Sequence, residues 1–96
     1  MTHRVVYSPR SRRDSERIRN YIATESGSDT VANHFLIRLF DACDGLSEFP
    51  SRFPIYPYAR HWKMMPFGQY LVFFQIAETE VRIGHIRHAA RKPFTR

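Results

Sequence analysis

Residues 69 to 87 read "QYLVFFQIAETEVRIGHIR" and contain two apolar runs separated by a short polar link. The first run, 69–76, is almost wholly apolar, which is typical of a strand buried on both faces. The second run, 80–87, mixes apolar and polar side chains, as in a neighbouring strand that is less buried. The tight link between them suits two antiparallel strands. This stretch therefore predicts a hairpin with a buried central strand.

A third strand and a loop precede this hairpin. The segment "RHWKMM" (60–65) is joined to 69–76 by "PFG", a short glycine-containing connection that suits another hairpin. The three strands together predict an antiparallel meander. Upstream of them, "FPSRFPIYPY" (49–58) has three prolines in ten residues. Proline cannot continue a helix, so this segment is predicted to be an extended loop.

Two helices are predicted ahead of that loop. Ser8 followed by proline is a helix N-cap with proline at the first helical position, so a helix is expected over 9–24. Ser28, in the turn "SGSD", is a second N-cap. Apolar residues then recur every three or four positions, which predicts a helix over 29–48. A short strand, 3–8, comes before the first helix.

The predicted order is therefore strand, helix, helix, strand, strand, strand (β-α-α-β-β-β). This order predicts an α+β fold in which a two-helix hairpin packs on a small antiparallel sheet. The length of 96 residues suits one domain, 1–96. Ile37 and Phe40 lie off the main apolar stripe of the second helix, so this helix is apolar over more than one face. Either a partner covers the surplus, or the two side chains pack against the first helix.

The chain is basic, and its charge is unevenly distributed. Fifteen Lys and Arg oppose nine Asp and Glu, which gives a formal net charge of +6. The two ends, 1–19 and 82–96, are basic, whereas 20–58 carries two arginines against five acids. This asymmetry favours a nucleic acid or an acidic protein surface as partner, with a solvated basic face as the alternative. No apolar run approaches the ~20 residues that span a bilayer, so we expect a cytoplasmic protein without membrane association.

Metal and cofactor sites are not expected. The five histidines are scattered, and only His85 and His88 have even a weak metal-ligand spacing. Cys43 lies within an apolar helical stripe, which predicts a small buried hydrophobe and not a nucleophile. We find no glycine-rich phosphate loop, Ser-His-Asp set or carboxylate pair.

Four segments in this order resemble the ParE/RelE superfamily of toxins from bacterial type II toxin–antitoxin modules. They are "YSPRSRRDSERIRNYIA" (7–23), "CDGLSEFP" (43–50), "RHWKMMPFGQYLVFFQI" (60–76) and "VRIGHIRHAARK" (81–92). The resemblance covers nearly the whole chain and implies a single toxin domain with a RelE/ParE-like fold. It also implies a cognate antitoxin that binds the toxin in a hetero-oligomer. The ParE branch is understood to poison DNA gyrase, and the RelE branch cleaves messenger RNA on the ribosome.

Two departures from the RelE pattern favour the ParE-like branch. RelE-like enzymes usually have an arginine directly after the aromatic residue that opens the central strand, but here Leu71 follows Tyr70. Their C-terminal tyrosine has no clear counterpart, because Phe94 and Thr95 stand near the end. The resemblance thus implies a gyrase inhibitor that acts by binding and not as an enzyme. The alternatives are a metal-independent, ribosome-dependent endoribonuclease and a member that binds only its antitoxin.

Cationic residues from separate segments are the candidate site, and we expect the fold to gather them into one anion-seeking surface. The predicted target-binding residues are Arg60, Lys63, Arg82, Arg87, His88, Arg91 and Lys92. In the nuclease alternative the catalytic candidates are Arg60, Lys63, Arg87, His88 and Arg91, with His88 as proton carrier. Strict alternation along the last strand places Arg82 and His88 on one face and His85 and Arg87 on the other.

The antitoxin is expected on the helices. Such partners are commonly disordered alone and fold as acidic, amphipathic segments on the toxin. The arginine-rich first helix and the surplus apolar face of the second would both suit them. The predicted antitoxin-binding residues are Arg13, Arg17, Ile37 and Phe40.

Overall fold

The computed structural model of the protein describes residues 2–95, so Arg96 of the basic C-terminal segment lies outside the described residues. The elements are β1 (Arg4–Tyr7), α1 (Pro9–Ser26), α2 (Asp29–Asp44), β2 (Lys63–Phe67), β3 (Tyr70–Ile76) and β4 (Glu80–His88). The predicted α+β class and element order are confirmed. Neither helix within residues 2–95 combines the length and the apolar content that crossing a bilayer requires.

Both helices begin at the predicted caps. Ser8 Oγ accepts a hydrogen bond from the Ser11 N–H at 3.0 Å, and Ser28 Oγ accepts one at 3.2 Å from the N–H three residues on. These bonds satisfy N–H groups that have no partner inside a helix. Gly27 ends α1 in the left-handed region, at φ 68°, where glycine is favoured. The second helix ends at Asp44, short of the predicted 48, and continues only as a 3-10 turn.

The four strands form one sheet in the order β1-β4-β3-β2. β2, β3 and β4 form the predicted antiparallel meander, but β1 pairs in parallel with β4, so the sheet is mixed and not wholly antiparallel. The path of the helical hairpin explains this difference. It returns the chain to the end at which β1 began, where the His3 N–H donates to the Ser47 carbonyl at 2.8 Å. β2 therefore starts from that end, and after two hairpin reversals β4 runs in the direction of β1.

The central strand β3 is buried on both faces, as predicted. Val72 and Phe74 are fully buried in the core between the sheet and the helices, together with Leu39 of α2. Phe73 lies on the opposite face and packs edge-on against Tyr56 of the proline-rich loop, with ring centres 4.8 Å apart. Fully burying one such phenylalanine contributes roughly 1.5–3 kcal/mol. The helices and the loop thus cover the two faces of the sheet.

Gly84 forms a bulge in β4 that changes which side chains share a face. Phe73 pairs with His85 and Phe74 with Ile83, so Gly84 has no partner in β3. The extra residue reverses the alternation of the strand. Val81, Ile83, Ile86 and His88 consequently lie on the helix side, and Arg82, His85 and Arg87 lie on the other. His85 and Arg87 share a face as predicted, but the prediction that Arg82 shares a face with His88 is wrong, because it ignored the bulge.

Candidate functional site

The candidate cations lie at two ends of the sheet. Where β2 and β4 begin, a cleft that we call the strand-start cleft contains Arg60, Lys63 and Arg82. Where β4 ends, a group that we call the strand-end cluster contains Arg87, His88, Arg91 and Lys92. Arg87 follows Arg82 by five positions, which at roughly 3.3 Å per residue spans about 16 Å. The structure thus divides the expected single surface into two.

Arg87 is held against the protein. Its Nη2 donates a hydrogen bond to the Lys92 carbonyl at 2.8 Å, and its guanidinium lies 4.8 Å from the centre of the Phe94 ring. Burial, followed by the neighbouring charge of Arg91, lowers the pKa of Arg87, but an arginine remains charged at physiological pH. These contacts fold the C-terminal segment back onto the sheet.

Phe94 completes an aromatic cluster on that face. Its ring stacks on Tyr56 at 4.9 Å and lies edge-on to Phe73 and His85 at 4.9 and 4.7 Å. His85 is only 2% exposed, and its Nδ1 has no hydrogen-bond partner among residues 2–95. Burial, followed by the charge of Arg10, lowers the pKa of His85 to about 4. The imidazole is therefore neutral at pH 7.

Both ring nitrogens of His88 are engaged by neighbouring groups. Nδ1 accepts a hydrogen bond from the Ala90 N–H at 3.1 Å, and Nε2 lies 3.3 Å from Oε1 of Gln69. In the neutral tautomer whose Nδ1 accepts from Ala90, the ring proton is on Nε2 and can be donated to Gln69. The ring also packs edge-on against Tyr70 at 5.3 Å. His88 thus stabilises the end of the sheet, and both of its ring nitrogens have partners within the protein.

Arg91 and Lys92 are the exposed members of the strand-end cluster. The Arg91 N–H donates to the His88 carbonyl at 3.1 Å, which closes the turn after β4. Both side chains are exposed, and within residues 2–95 neither forms an ion pair or a side-chain hydrogen bond. Two adjacent cations without an acidic partner attract an anion from outside the chain.

A groove of about 390 Å³ borders this cluster on the helix side. Its apolar surface comes from Ile18, Tyr21, Tyr70 and Ile86, and its charged rim from Arg17, Arg87 and Arg91. Tyr21 is 59% exposed, so part of this apolar surface faces solvent. Burial, followed by Tyr21, raises the pKa of Tyr70. The groove thus combines an apolar floor with arginines at its edge.

Asp14 joins α1 to β4 beside this groove. Its Oδ2 accepts a hydrogen bond from the buried Ile86 N–H at 3.0 Å, and its Oδ1 accepts one from Arg17 at 3.1 Å. The pairing of β1 with β4 ends at Ile83. Beyond that point the edge of β4 needs another acceptor for its N–H groups, and the Asp14 carboxylate provides it. The resemblance segment 7–23 contained Asp14, but nothing in its spacing indicated this role.

The four predicted antitoxin-binding residues lie in different places. Arg17 lines the groove beside β4, and Arg13 is exposed one turn earlier on α1. On α2, Ile37 is 58% exposed. Phe40 is half-buried and packs edge-on against Tyr7 of β1, with ring centres 5.3 Å apart. The surplus apolar face predicted for α2 is therefore partly covered by the sheet itself.

The strand-start cleft has a volume of about 420 Å³. Lys63 Nζ donates to the Phe53 carbonyl at 2.7 Å, so its charge is fixed in the wall of the cleft. Arg82 Nε donates to Glu80 Oε1 at 2.6 Å. Trp62 also lines the cleft and lies over β4 at Gly84. Trp62 was not among the predicted site residues, although it is the single tryptophan of the chain.

No three His, Cys, Asp or Glu side chains come together among residues 2–95 in a way that could hold a metal ion. Cys43 is buried, and burial raises its pKa to about 12, so its thiol stays protonated at pH 7. What the described residues can do is pair with anions at two separate surfaces.

Comparison with known proteins gives the family. Residues 5–93 match the family described as "ParE toxin of type II toxin-antitoxin system, parDE". A structure of the chromosomal ParDE system from P. aeruginosa has a TM-score of 0.80 at 11% identity, covering 91% of this chain and 96% of that one. The RelBE2 toxin–antitoxin complex from Mycobacterium tuberculosis has a TM-score of 0.67 at 19% identity, covering 92% and 99%.

The two comparisons with solved structures concern the fold alone, since both identities are low. A search of curated proteins found no match. The family match, in contrast, extends over nearly the whole sequence and includes the strand-end cluster. The chain therefore belongs to the ParE toxin family of type II toxin–antitoxin systems.

Proposed function

We propose that this toxin inhibits DNA gyrase by binding to it, and that Arg91 and Lys92 are its principal contact residues. Both side chains are exposed at the end of β4 and have no anionic partner within residues 2–95. A guanidinium can bind a carboxylate or a phosphate through two parallel hydrogen bonds, and an ammonium adds a point charge. A complex of protein and DNA offers both kinds of anion. Inhibition of gyrase would be exerted in the cytoplasm.

The observation that carries this proposal is the engagement of both nitrogens of His88. A proton carrier in RNA cleavage needs an imidazole nitrogen within reach of the reacting oxygen. In this chain Nδ1 accepts from Ala90 and Nε2 is paired with Gln69. His88 is therefore a structural residue in this account, and inhibition by binding needs no proton carrier.

Two further side chains support binding over RNA cleavage. Leu71, opposite Arg87 in the β3–β4 pairing, cannot pair with a phosphate. Phe94 has no hydroxyl group, and its ring packs against Tyr56, Phe73 and His85. Neither residue can stabilise charge on phosphorus or donate a proton to a leaving oxygen.

We further propose a cognate antitoxin as the physiological partner, in a hetero-oligomer. Both similar structures come from toxin–antitoxin systems. The basic α1 would attract an acidic segment, and such a segment could bury Ile37. Hydrogen exchange of a co-purified complex should therefore slow across α1 and α2. Unchanged exchange in both helices would contradict this location.

Two parallel assays test the proposed target. The purified toxin should inhibit DNA supercoiling by gyrase, and it should produce no cleavage sites in translated messenger RNA when these are mapped by primer extension. Cleavage without loss of supercoiling would favour the RelE-like endoribonuclease. If neither supercoiling inhibition nor messenger RNA cleavage is detected and antitoxin binding is retained, the result would favour a chain that binds only its antitoxin.

A further inference from the structure

We propose that the strand-start cleft binds single-stranded nucleic acid. The cleft lies at the opposite end of the sheet from the strand-end cluster, and its binding would require neither gyrase nor an antitoxin. Its volume is about 420 Å³, and its lining includes Arg60, His61, Trp62, Lys63, Ile76 and Arg82. This lining combines positive charge with aromatic and aliphatic surface.

The charge of the cleft is positive. None of the described residues that line it is acidic. The carboxylate of Glu80 is shared by two arginines, because its Oε1 accepts from Arg82 at 2.6 Å and its Oε2 accepts from Arg4 at 3.1 Å. Hydrogen bonds from Arg82 and then Arg4 lower the pKa of Glu80, so it stays ionised. One negative charge between two guanidinium groups leaves a net positive charge, to which Lys63 adds its own.

Arg60 is the cation best placed to move toward a ligand. Its side chain is exposed, and it forms no ion pair or hydrogen bond with residues 2–95. Arg82 is held by Glu80 through Nε, and its side chain is still 60% exposed. A guanidinium with exposed N–H groups can pair with a phosphate oxygen. The two arginines could therefore bind successive phosphates of a strand.

Ring surface next to these cations favours a strand with unpaired bases. The exposed His61 ring lies 5.4 Å from the Trp62 ring, at 44°. Gln75 fixes this segment by donating to the His61 carbonyl at 3.3 Å. On the rim, Ile55 and Ile76 are 45% and 36% exposed. Unpaired bases bind to such aromatic and apolar surface, whereas a duplex hides its base faces and a peptide of glutamates alone offers charge without rings.

The single tryptophan allows a direct test. Full-length protein is titrated with hexathymidylate while Trp62 fluorescence is recorded at several salt concentrations. We expect hexathymidylate to quench the Trp62 fluorescence in a saturable way. Arg60→Ala combined with Arg82→Ala should weaken binding at least about tenfold and reduce the slope of log affinity against log salt by about 1.4, since each phosphate contact on a single strand contributes roughly 0.7. Arg60→Ala alone should reduce the slope by about 0.7.

The matched control removes two exposed arginines of the helices that do not line the cleft. Arg12→Ala combined with Arg38→Ala should leave hexathymidylate binding within about twofold of the unmodified protein, although it removes the same amount of charge. Thermal unfolding followed by circular dichroism establishes that each variant is folded. If the double variant does not fold, Arg60→Ala alone tests the cleft. The proposal fails if hexathymidylate does not quench, if the control loses as much affinity as the cleft variant, or if hexaglutamate quenches equally well.

Discussion

At residue 84 the backbone of β4 passes so close to the Trp62 indole that only glycine fits. A Cβ atom there would lie 2.1 Å from Cη2 of Trp62, well inside van der Waals contact. The same glycine is the extra residue of the bulge, which brings Arg82 and Arg87 onto one face of the sheet. One residue thus controls both the position of the only tryptophan and the distribution of the cations.

Gly84→Ala should lower the free energy of unfolding by about 1–3 kcal/mol, because the added methyl group must displace Trp62 or bend the strand. Urea unfolding measures this change. Gly45→Ala is the control, since Gly45 has a helical φ of −62° and no heavy atom within 4 Å of an added Cβ. That variant should be unchanged or slightly more stable. Equal losses at both positions would contradict the close contact at Gly84.

The buried His85 should make the protein less stable in acid. Its pKa is about 4 in the folded protein against an ordinary value of 6.5. Between those values the unfolded chain binds a proton that the folded chain does not, so stability falls as the pH falls through this window. The loss between pH 7 and pH 5 should be about 2 kcal/mol.

Urea unfolding of His85→Phe at pH 7 and pH 5 tests this dependence. The variant should lose most of the pH dependence in this range, because phenylalanine does not titrate. His34→Gln removes an exposed histidine of α2 and should retain the dependence. If His85→Phe keeps the full loss of stability in acid, another group is responsible.

At the scale of the elements, the local sequence predicted the types and order of the helices and strands, but not how the first strand pairs. Caps, prolines and apolar periodicity are local signals, so Ser8 and Ser28 could be assigned directly. The parallel pairing of β1 with β4 depends instead on where the helical hairpin returns the chain. The hydrogen bond that the Asp14 carboxylate accepts from the Ile86 N–H also joins residues 72 positions apart. No local pattern in the sequence indicates this bond.

Asp14→Ala should destabilise the protein by roughly 1.5–3 kcal/mol, because it leaves the buried Ile86 N–H without its charged acceptor. Asp14→Asn keeps an acceptor oxygen and should therefore destabilise the protein less than Asp14→Ala does. Arg17→Ala removes the other partner of the carboxylate, but its side chain is 70% exposed, so the change should stay within about 1 kcal/mol. Thermal unfolding compares the three variants. A loss in Arg17→Ala as large as that in Asp14→Ala would mean that the ion pair, and not the bond to β4, stabilises this junction.

For the whole molecule, sequence identified the family and the cationic residues but not their division into two surfaces. Residue type and net charge are properties of the sequence, so Arg60, Arg87 and Arg91 could be selected. Whether they meet depends on strand register, on the bulge at Gly84 and on the contacts of each side chain. Arg87 and His88 prove to be bound within the strand-end cluster, which leaves Arg91 and Lys92 for an external partner.

The most direct test of the account is the inhibition of gyrase supercoiling by Arg91→Glu combined with Lys92→Glu. Reversing both exposed charges should raise the concentration for half-inhibition at least about tenfold. A loss of about 1.4 kcal/mol in binding free energy, from one repulsive contact, already gives that factor. Arg12→Glu combined with Arg38→Glu reverses two other exposed arginines and should change inhibition little. Full inhibition by the Arg91 and Lys92 variant, at equal amounts of folded protein, would contradict the role of the strand-end cluster.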